Sequence, residues 1–241
     1  MKAGTWDSHG ANQPQAIILR FSYGDICTTT EEVIHCLGVP NSEVSPKLRD
    51  LLPGAIEDAT RLAAPVFTYA LHRVKTLAPP RNLLLENGFS LELPRTERFS
   101  GTRYLAACVC TVGGALEKRC RKLGSMHRLL EAALLDTASV TLLNALMEMS
   151  LDTLRRHAQK LGLFAGCPFG PGDQNMPLET QALLFRLVDA GPIQVVLNAS
   201  MAMHPLKSLS FFVQFTTRKV ETGRAARCRR CSLRNCQFRA R

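Results

Sequence analysis

Three cysteines near the C-terminus have the spacing of metal ligands: Cys228-Arg-Arg-Cys231-Ser-Leu-Arg-Asn-Cys236. Thiolates at C-x2-C spacing can grip one metal from a tight turn, and a third after four more residues can close a face of a tetrahedron. The neighbouring arginines favour thiolate over thiol. Three soft sulfurs suit zinc or an iron–sulfur cluster, and the spacing does not choose between them. The motif holds no fourth ligand. One of the six other cysteines, His204, a residue of a partner or an exogenous molecule could supply it. The distinction matters, because a closed site is usually structural and an open one can do chemistry.

A second constellation runs from Pro171 to Ser210. Pro171-Gly172 fixes one backbone angle and frees the next, which lets amides and carbonyls approach a ligand closely. Asp173 follows directly and would set a negative charge beside that loop. Ser200, Ser208 and Ser210 offer hydroxyls that donate or accept, and Met203 offers a polarizable apolar wall. His35, His72, His127 and His157 stand at no informative spacing.

The elements that must carry these residues follow from the apolar pattern. Ala16 to Tyr23 predicts a first strand, and the threonines before Glu31 with Gly38 predict a capped short helix. Ser45-Pro46 opens a second helix that Pro53 is expected to interrupt, with a continuation from Ile56 to Ala63. Val66 to Val74 and Phe89 to Leu93 predict strands on either side of a Pro-Pro-Arg-Asn turn. Tyr104 to Val112 is apolar throughout and fits a fully buried strand, turning at Gly113-Gly114 into a helix over Ala115 to Leu123. A long helical pattern then runs from Ser125 to Leu161 and stops at Gly162. After a Gly/Pro-rich loop, Phe164 to Pro177, come a helix over Leu178 to Leu187, a strand over Ile193 to Leu197 and a last strand over Lys207 to Thr216. Strands and helices mix without β-α-β alternation. The expected class is therefore α+β, with a twisted, largely antiparallel sheet flanked by helices.

Composition narrows the setting. The chain has 241 residues, enough for a sizeable core without a disulfide. The N-terminal residues 1–15 lack the apolar stretch of a secretory signal, and the run from Tyr104 to Leu116 is shorter than the ~20 residues that cross a bilayer. Nine cysteines, an odd number, fit reduced thiols and a cytoplasmic setting with no membrane partner. Of the +10 formal charge, residues 218–241 carry +8, from nine Lys or Arg against Glu221. The rest is nearly neutral, so a nucleic-acid-binding domain is not expected; the basic tail reads either as a solvated C-terminus or as a segment that docks on an acidic protein.

Three spaced blocks carry a family resemblance: Pro171-Gly172-Asp173 running on to Met176-Pro177-Leu178-Glu179; Ile193-Gln194-Val195-Val196-Leu197-Asn198-Ala199-Ser200; and Met203-His204-Pro205-Leu206-Lys207-Ser208-Leu209-Ser210. Their order resembles the activation (reactivation) domain of vitamin B12-dependent methionine synthase, most of all its short stand-alone forms. Thr111-Val112-Gly113-Gly114 and Leu135-Asp136-Thr137-Ala138 fit the family more loosely. The resemblance implies an activation-domain-like unit over residues 16–217, between a flexible N-terminus (1–15) and a basic, cysteine-rich tail (218–241). It implies S-adenosylmethionine bound near Pro171, Gly172, Asp173, Ser200, Met203, Pro205, Lys207 and Ser208. It also implies cobalamin brought by a corrinoid protein or another methionine synthase module, and an electron from a flavodoxin-like or ferredoxin-like donor. In that chemistry the cofactor and the methyl donor react while the protein binds and orients.

The sequence departs from the family at the ligand. Where methionine synthase has an arginine three residues before the Pro-Gly pair, and a tyrosine after it, this chain has Pro168 and Asp173. The Thr-Glu-Ser triplet reads Asn198-Ala199-Ser200. Losing an arginine that pairs with a ligand carboxylate costs about 2–5 kcal/mol, roughly 30- to 4,000-fold in affinity. Two expectations follow: a corrinoid-linked accessory protein or module of a split methionine synthase, or a metal-binding redox or docking protein on the same fold without the methyl donor. The chain holds no complete active site of its own.

Overall fold

The computed structural model describes residues 14–22, 24–93, 99–173, 176–230 and 236. Chain order is β1 (Ile17–Arg20), α1 (Thr30–Leu37), α2 (Pro46–Leu62), β2 (Val66–Ala78), β3 (Asn82–Leu85), β4 (Ser90–Glu92), β5 (Thr102–Thr111), α3 (Ala115–Ser125), α4 (Leu129–Lys160), β6 (Phe164–Ala165), α5 (Thr180–Leu187), β7 (Val196–Leu197), β8 (Met203–His204), β9 (Ser208–Thr216) and α6 (Arg224–Arg230). A seven-stranded sheet in the order β4-β3-β2-β5-β9-β6, with β1 also on β2, is antiparallel at every pairing. β7 and β8 make a separate hairpin. The fold is α+β, a curled antiparallel sheet flanked by helices.

The long apolar runs become central strands because both faces of the sheet are covered. Along β5, Ala106, Cys108 and Cys110 enter one core with Phe211, Val213 and Phe215 of β9 and the apolar side of α4. Leu105, Ala107 and Val109 enter the other, with Phe212, Met176, Leu184, Leu187 and Ile193. Successive strand residues point to opposite faces, so a strand buried on both shows no polar alternation. Burial raises the thiol pKa of Cys108, and that of Cys110 to about 12, which makes both inert.

α4 is about 48 Å long at ~1.5 Å per residue. By length and composition it could cross a bilayer. Its buried side, Leu134 and Leu135 through Leu154 and Ala158, is instead packed into the first core. Ser139 and Ser150 are buried on it and donate to the carbonyls of Leu135 and Leu146 at 2.6 and 2.8 Å, so neither hydroxyl is orphaned.

Four expectations need correction. Pro53 does not interrupt α2, which is continuous from Pro46 to Leu62. An internal proline loses one helical hydrogen bond and typically costs about 3 kcal/mol; the packing of Leu52, Ala55 and Ala59 into the core offsets it here. The helix expected from Ser125 begins at Leu129, after a turn in which His127 adopts φ 58°. Residues 191–193 form a 3-10 turn, and Gln194 is left-handed at φ 57°, so the expected strand there shrinks to Val196–Leu197. β3 lies in what the sequence presents as a turn and its flank.

Candidate functional site

The Pro-Gly loop is built onto β9. Leaving β6, the chain passes Phe169, which exchanges backbone hydrogen bonds with Phe212 at 3.1 and 2.7 Å. A Cβ on Gly170 would lie 3.0 Å from the Ser210 carbonyl oxygen, so a side chain there would force the loop and β9 apart by a few tenths of an ångström. Gly172, at φ 83°, donates to the Met176 carbonyl at 3.1 Å, and Asp173 N donates to that of Gly170 at 3.0 Å. The Asp173 carboxylate turns back into the loop and accepts from Gly170 N at 2.7 Å. Desolvation raises its pKa, with the Gly170 amide opposing the rise. One of its oxygens therefore holds the loop. Gln174 and Asn175, within the resemblance, lie outside the described residues.

Ser200 sits exposed at the tip of the β7–β8 hairpin. Asn198 makes that tip: its side-chain oxygen accepts from Ser200 N and Ala202 N, both at 2.9 Å. Met203 packs into the same core as Met176. The loop and the hairpin thus share one face of the sheet.

Pro205, Lys207 and Ser208 form a different assembly at the start of β9. The Ser208 hydroxyl donates to the Pro205 carbonyl at 2.7 Å and lies 2.9 Å from Thr111 Oγ1. Thr111 Oγ1 in turn accepts from Gly113 N at 3.0 Å and donates to the Lys207 carbonyl at 3.2 Å. Lys207 Nζ pairs with Asp136 of α4 at 2.7 Å. The Glu117 carboxylate receives the Leu206 amide and, at 3.2 Å, the Lys207 amide. Three stretches of the resemblance, around Thr111, Asp136 and Ser208, thereby become one polar lock. Lys207 and Asp136 also act on Cys36 and Cys120, whose thiol pKa values rise chiefly through desolvation while the Lys207 ammonium opposes the rise. Sequence reasoning missed Glu117 and the Lys207–Asp136 pairing; acids in separate helices carry no spacing signal.

Cys228 lies on α6 and Cys236 beyond it, both half-buried; Cys231 lies outside the described residues. Among the described residues, no three His, Cys, Asp or Glu side chains are grouped to hold a metal ion. A cleft of about 270 Å³, lined by Arg20, Phe21, Ile26, Pro65, Val112 and Leu142 among others, opens where β1, α2 and β2 meet; no predicted site residue lines it.

No protein-family model matches the chain, and no curated protein matches it. Among solved structures, it is similar to the crystal structure of the MetH reactivation domain bound to AdoHcy. The similarity covers 92% of this chain and 86% of that one, at 12% identity and a TM-score of 0.67. At that identity the likeness establishes a common fold.

Proposed function

We propose that this chain is a cytoplasmic accessory protein of corrinoid metabolism, built on the reactivation-domain fold and supporting the reductive reactivation of a B12 protein or methionine synthesis. The observation that carries this reading is the fold likeness across 92% of the chain to a domain solved with AdoHcy. The three sequence blocks support it, because they fall on the elements that build the Pro171 loop, the hairpin and the lock. In this reading residues 16–217 are the functional unit, and an S-adenosyl ligand lies along Pro171, Gly172 and Asp173, with Ser200 and Met203 of the hairpin. Pro205, Lys207 and Ser208 hold the strand that backs the loop. Bound there, S-adenosylmethionine would supply a methyl group to a corrinoid held by a partner module while a flavodoxin-like or ferredoxin-like protein supplied the electron. The basic tail, 218–241, would dock on such an acidic partner and bind zinc or an iron–sulfur cluster through Cys228, Cys231 and Cys236.

The test is calorimetric titration of the anaerobically purified protein with S-adenosylmethionine and with AdoHcy, followed by binding to a reduced corrinoid protein. Saturable binding of either nucleoside together with corrinoid-protein binding supports the proposal. Failure of both rejects it.

A second reading has its own observation. Pro168 replaces the arginine of the resemblance, and the Asp173 carboxylate turns onto Gly170 N at 2.7 Å. A metal-binding redox or docking protein that has lost the methyl donor would keep the loop for structure alone. Stoichiometric metal without any nucleoside binding would select it.

A further inference from the structure

We propose that the corner between α3 and α4 is a peripheral membrane contact, which rests its apolar tip and the basic face of α3 on an anionic lipid bilayer. The inference goes beyond the corrinoid reading and does not depend on it.

The corner is built from local sequence. Leu116 and Leu123, seven residues apart, are the buried positions of α3 and pack into the first core. Lys118, Arg121, Lys122 and Ser125 recur at helical spacing on the exposed face. The helix then ends in a tight turn. The His127 amide donates to the Gly124 carbonyl and the Arg128 amide to that of Leu123, both at 3.0 Å, and His127 takes φ 58°. α4 leaves this turn at Leu129, but its buried side starts only at Leu134. As a result every residue from Ser125 to Leu130 is exposed. Apolar surface is concentrated among them: Met126 is 50% exposed, Leu129 68% and Leu130 40%. Large apolar side chains grouped on a surface and rimmed by polar ones mark a contact site.

The charge around the tip decides what covers it. The acids of α3 and of the first two turns of α4 are all engaged. Glu131 pairs with Arg128, Asp136 pairs with Lys207, and the Glu117 carboxylate receives the Leu206 and Lys207 amides. Asp58 of α2 is taken by Arg61 and by Arg119. Among the described residues, no acid pairs with Lys118, Arg121 or Lys122. An unneutralised basic face beside an apolar tip matches a surface that is anionic outside and hydrocarbon within. The cations stay at headgroup level while Met126, Leu129 and Leu130 enter the acyl boundary, as in interfacial helices. A stable protein interface needs ~800 Å² per partner over a complementary surface. These three side chains stand on a helix–helix corner, and lipid requires no matching shape. Residues 115–130 hold no Phe, Tyr or Trp on which bases could stack. No segment has to span the bilayer for this contact, and α4 keeps its buried side in the first core.

The full-length protein is floated with vesicles of phosphatidylcholine alone, and of phosphatidylcholine and phosphatidylserine in equal parts. The expected result is binding to the mixed vesicles, little to the neutral ones, and weakening as salt is raised. A cation near an anionic surface contributes about fivefold to partitioning, so Arg121→Gln with Lys122→Gln should lose roughly thirtyfold. Leu129→Ser with Leu130→Ser should lose at least about tenfold. Controls lie elsewhere on the exposed surface: Lys47→Gln with Lys75→Gln, and Leu161→Ser, should float close to wild type. Leu129→Trp should gain an emission that moves to shorter wavelength with the mixed vesicles. Wild-type protein that floats with neither vesicle overturns the proposal, whatever the variants do. Binding that both corner pairs leave intact also overturns it and assigns the lipid contact to the basic tail. If the leucine pair is neutral while the cation pair is not, insertion is refuted. Binding of polyglutamate or duplex DNA through the same residues, without vesicle binding, would make the corner a protein or nucleic-acid site instead.

Discussion

Replacing Gly170 with alanine tests how the candidate ligand loop is held. The added Cβ would lie 3.0 Å from the Ser210 carbonyl oxygen and 3.4 Å from Phe211 Cα. Both are backbone atoms of β9, which is paired with β5 on one side and β6 on the other, so neither can yield cheaply. The loop must give instead. It is held by the two Phe169–Phe212 bonds, at 3.1 and 2.7 Å, and by the 2.7 Å bond from Gly170 N to Asp173. Overpacking of this kind costs about 1–3 kcal/mol. For a domain of this length each kcal/mol lowers the melting temperature by about 2–4 °C, so Gly170→Ala should melt roughly 2–12 °C below wild type. Gly54→Ala is the control: nothing lies within 4 Å of its Cβ, and it is inside α2, where alanine is favoured by about 1 kcal/mol. It should melt above wild type. Calorimetry gives both temperatures, and hydrogen exchange at the Phe169 and Phe212 amides should accelerate in Gly170→Ala alone. A Gly170→Ala protein that melts and exchanges like wild type would refute the claim that the loop is seated on β9 by close backbone contact.

Other consequences follow from the polar groups. His72 is buried, with Nε2 2.8 Å from the Leu187 carbonyl and Nδ1 3.0 Å from Asn87 Nδ2, and desolvation lowers its pKa. A depressed folded-state pKa means the unfolded chain binds the proton more readily, so this contribution is present above about pH 6.5 and is lost as pH falls through the folded value. His72→Gln should flatten the pH dependence of stability in that window, as read by urea melts at stepped pH. Asp173 has the opposite sign: its raised pKa favours the folded state below the ordinary carboxylate range, and that stability is lost as pH rises through the folded value. Asp173→Asn, which keeps an oxygen for Gly170 N, should therefore be at least as stable as wild type at neutral pH and lose its advantage in acid; a large loss at neutral pH would contradict this. Ser208→Ala removes the donor to the Pro205 carbonyl and the contact with Thr111, and it should cost about 1–3 kcal/mol in urea melts.

Much of the architecture was legible in the sequence for local reasons. The Thr29 side chain accepts from Glu32 N, and Gly38 closes the same helix in the left-handed region, both encoded within a few residues. The apolar runs of β5 and of the first half of β2 are strands buried on both faces, and their composition shows little polar alternation. The failures are equally physical. β3 (Asn82–Leu85) is too short, and too close to a Pro-Pro turn, for periodicity to reveal it; it exists because β2 offers its second half as a partner. Pro53 stays helical because a well-packed apolar face outweighs its local preference.

The candidate site divides along the same line. Sequence alone determined which residue types stood ready: a Pro-Gly loop, a serine- and methionine-bearing segment and a spaced cysteine tail. It could not say that Ser208 would meet Thr111, 97 positions away, or that Cys167 would meet Glu221, 54 away. Such contacts are decided when strands far apart in the chain are paired side by side, and a residue's type says nothing about which strand will lie beside it. Only the tertiary structure, by setting β9 between β5 and β6, joined the stretches around Thr111, Asp136 and Ser208 into one lock and brought Glu221 to the edge of the sheet.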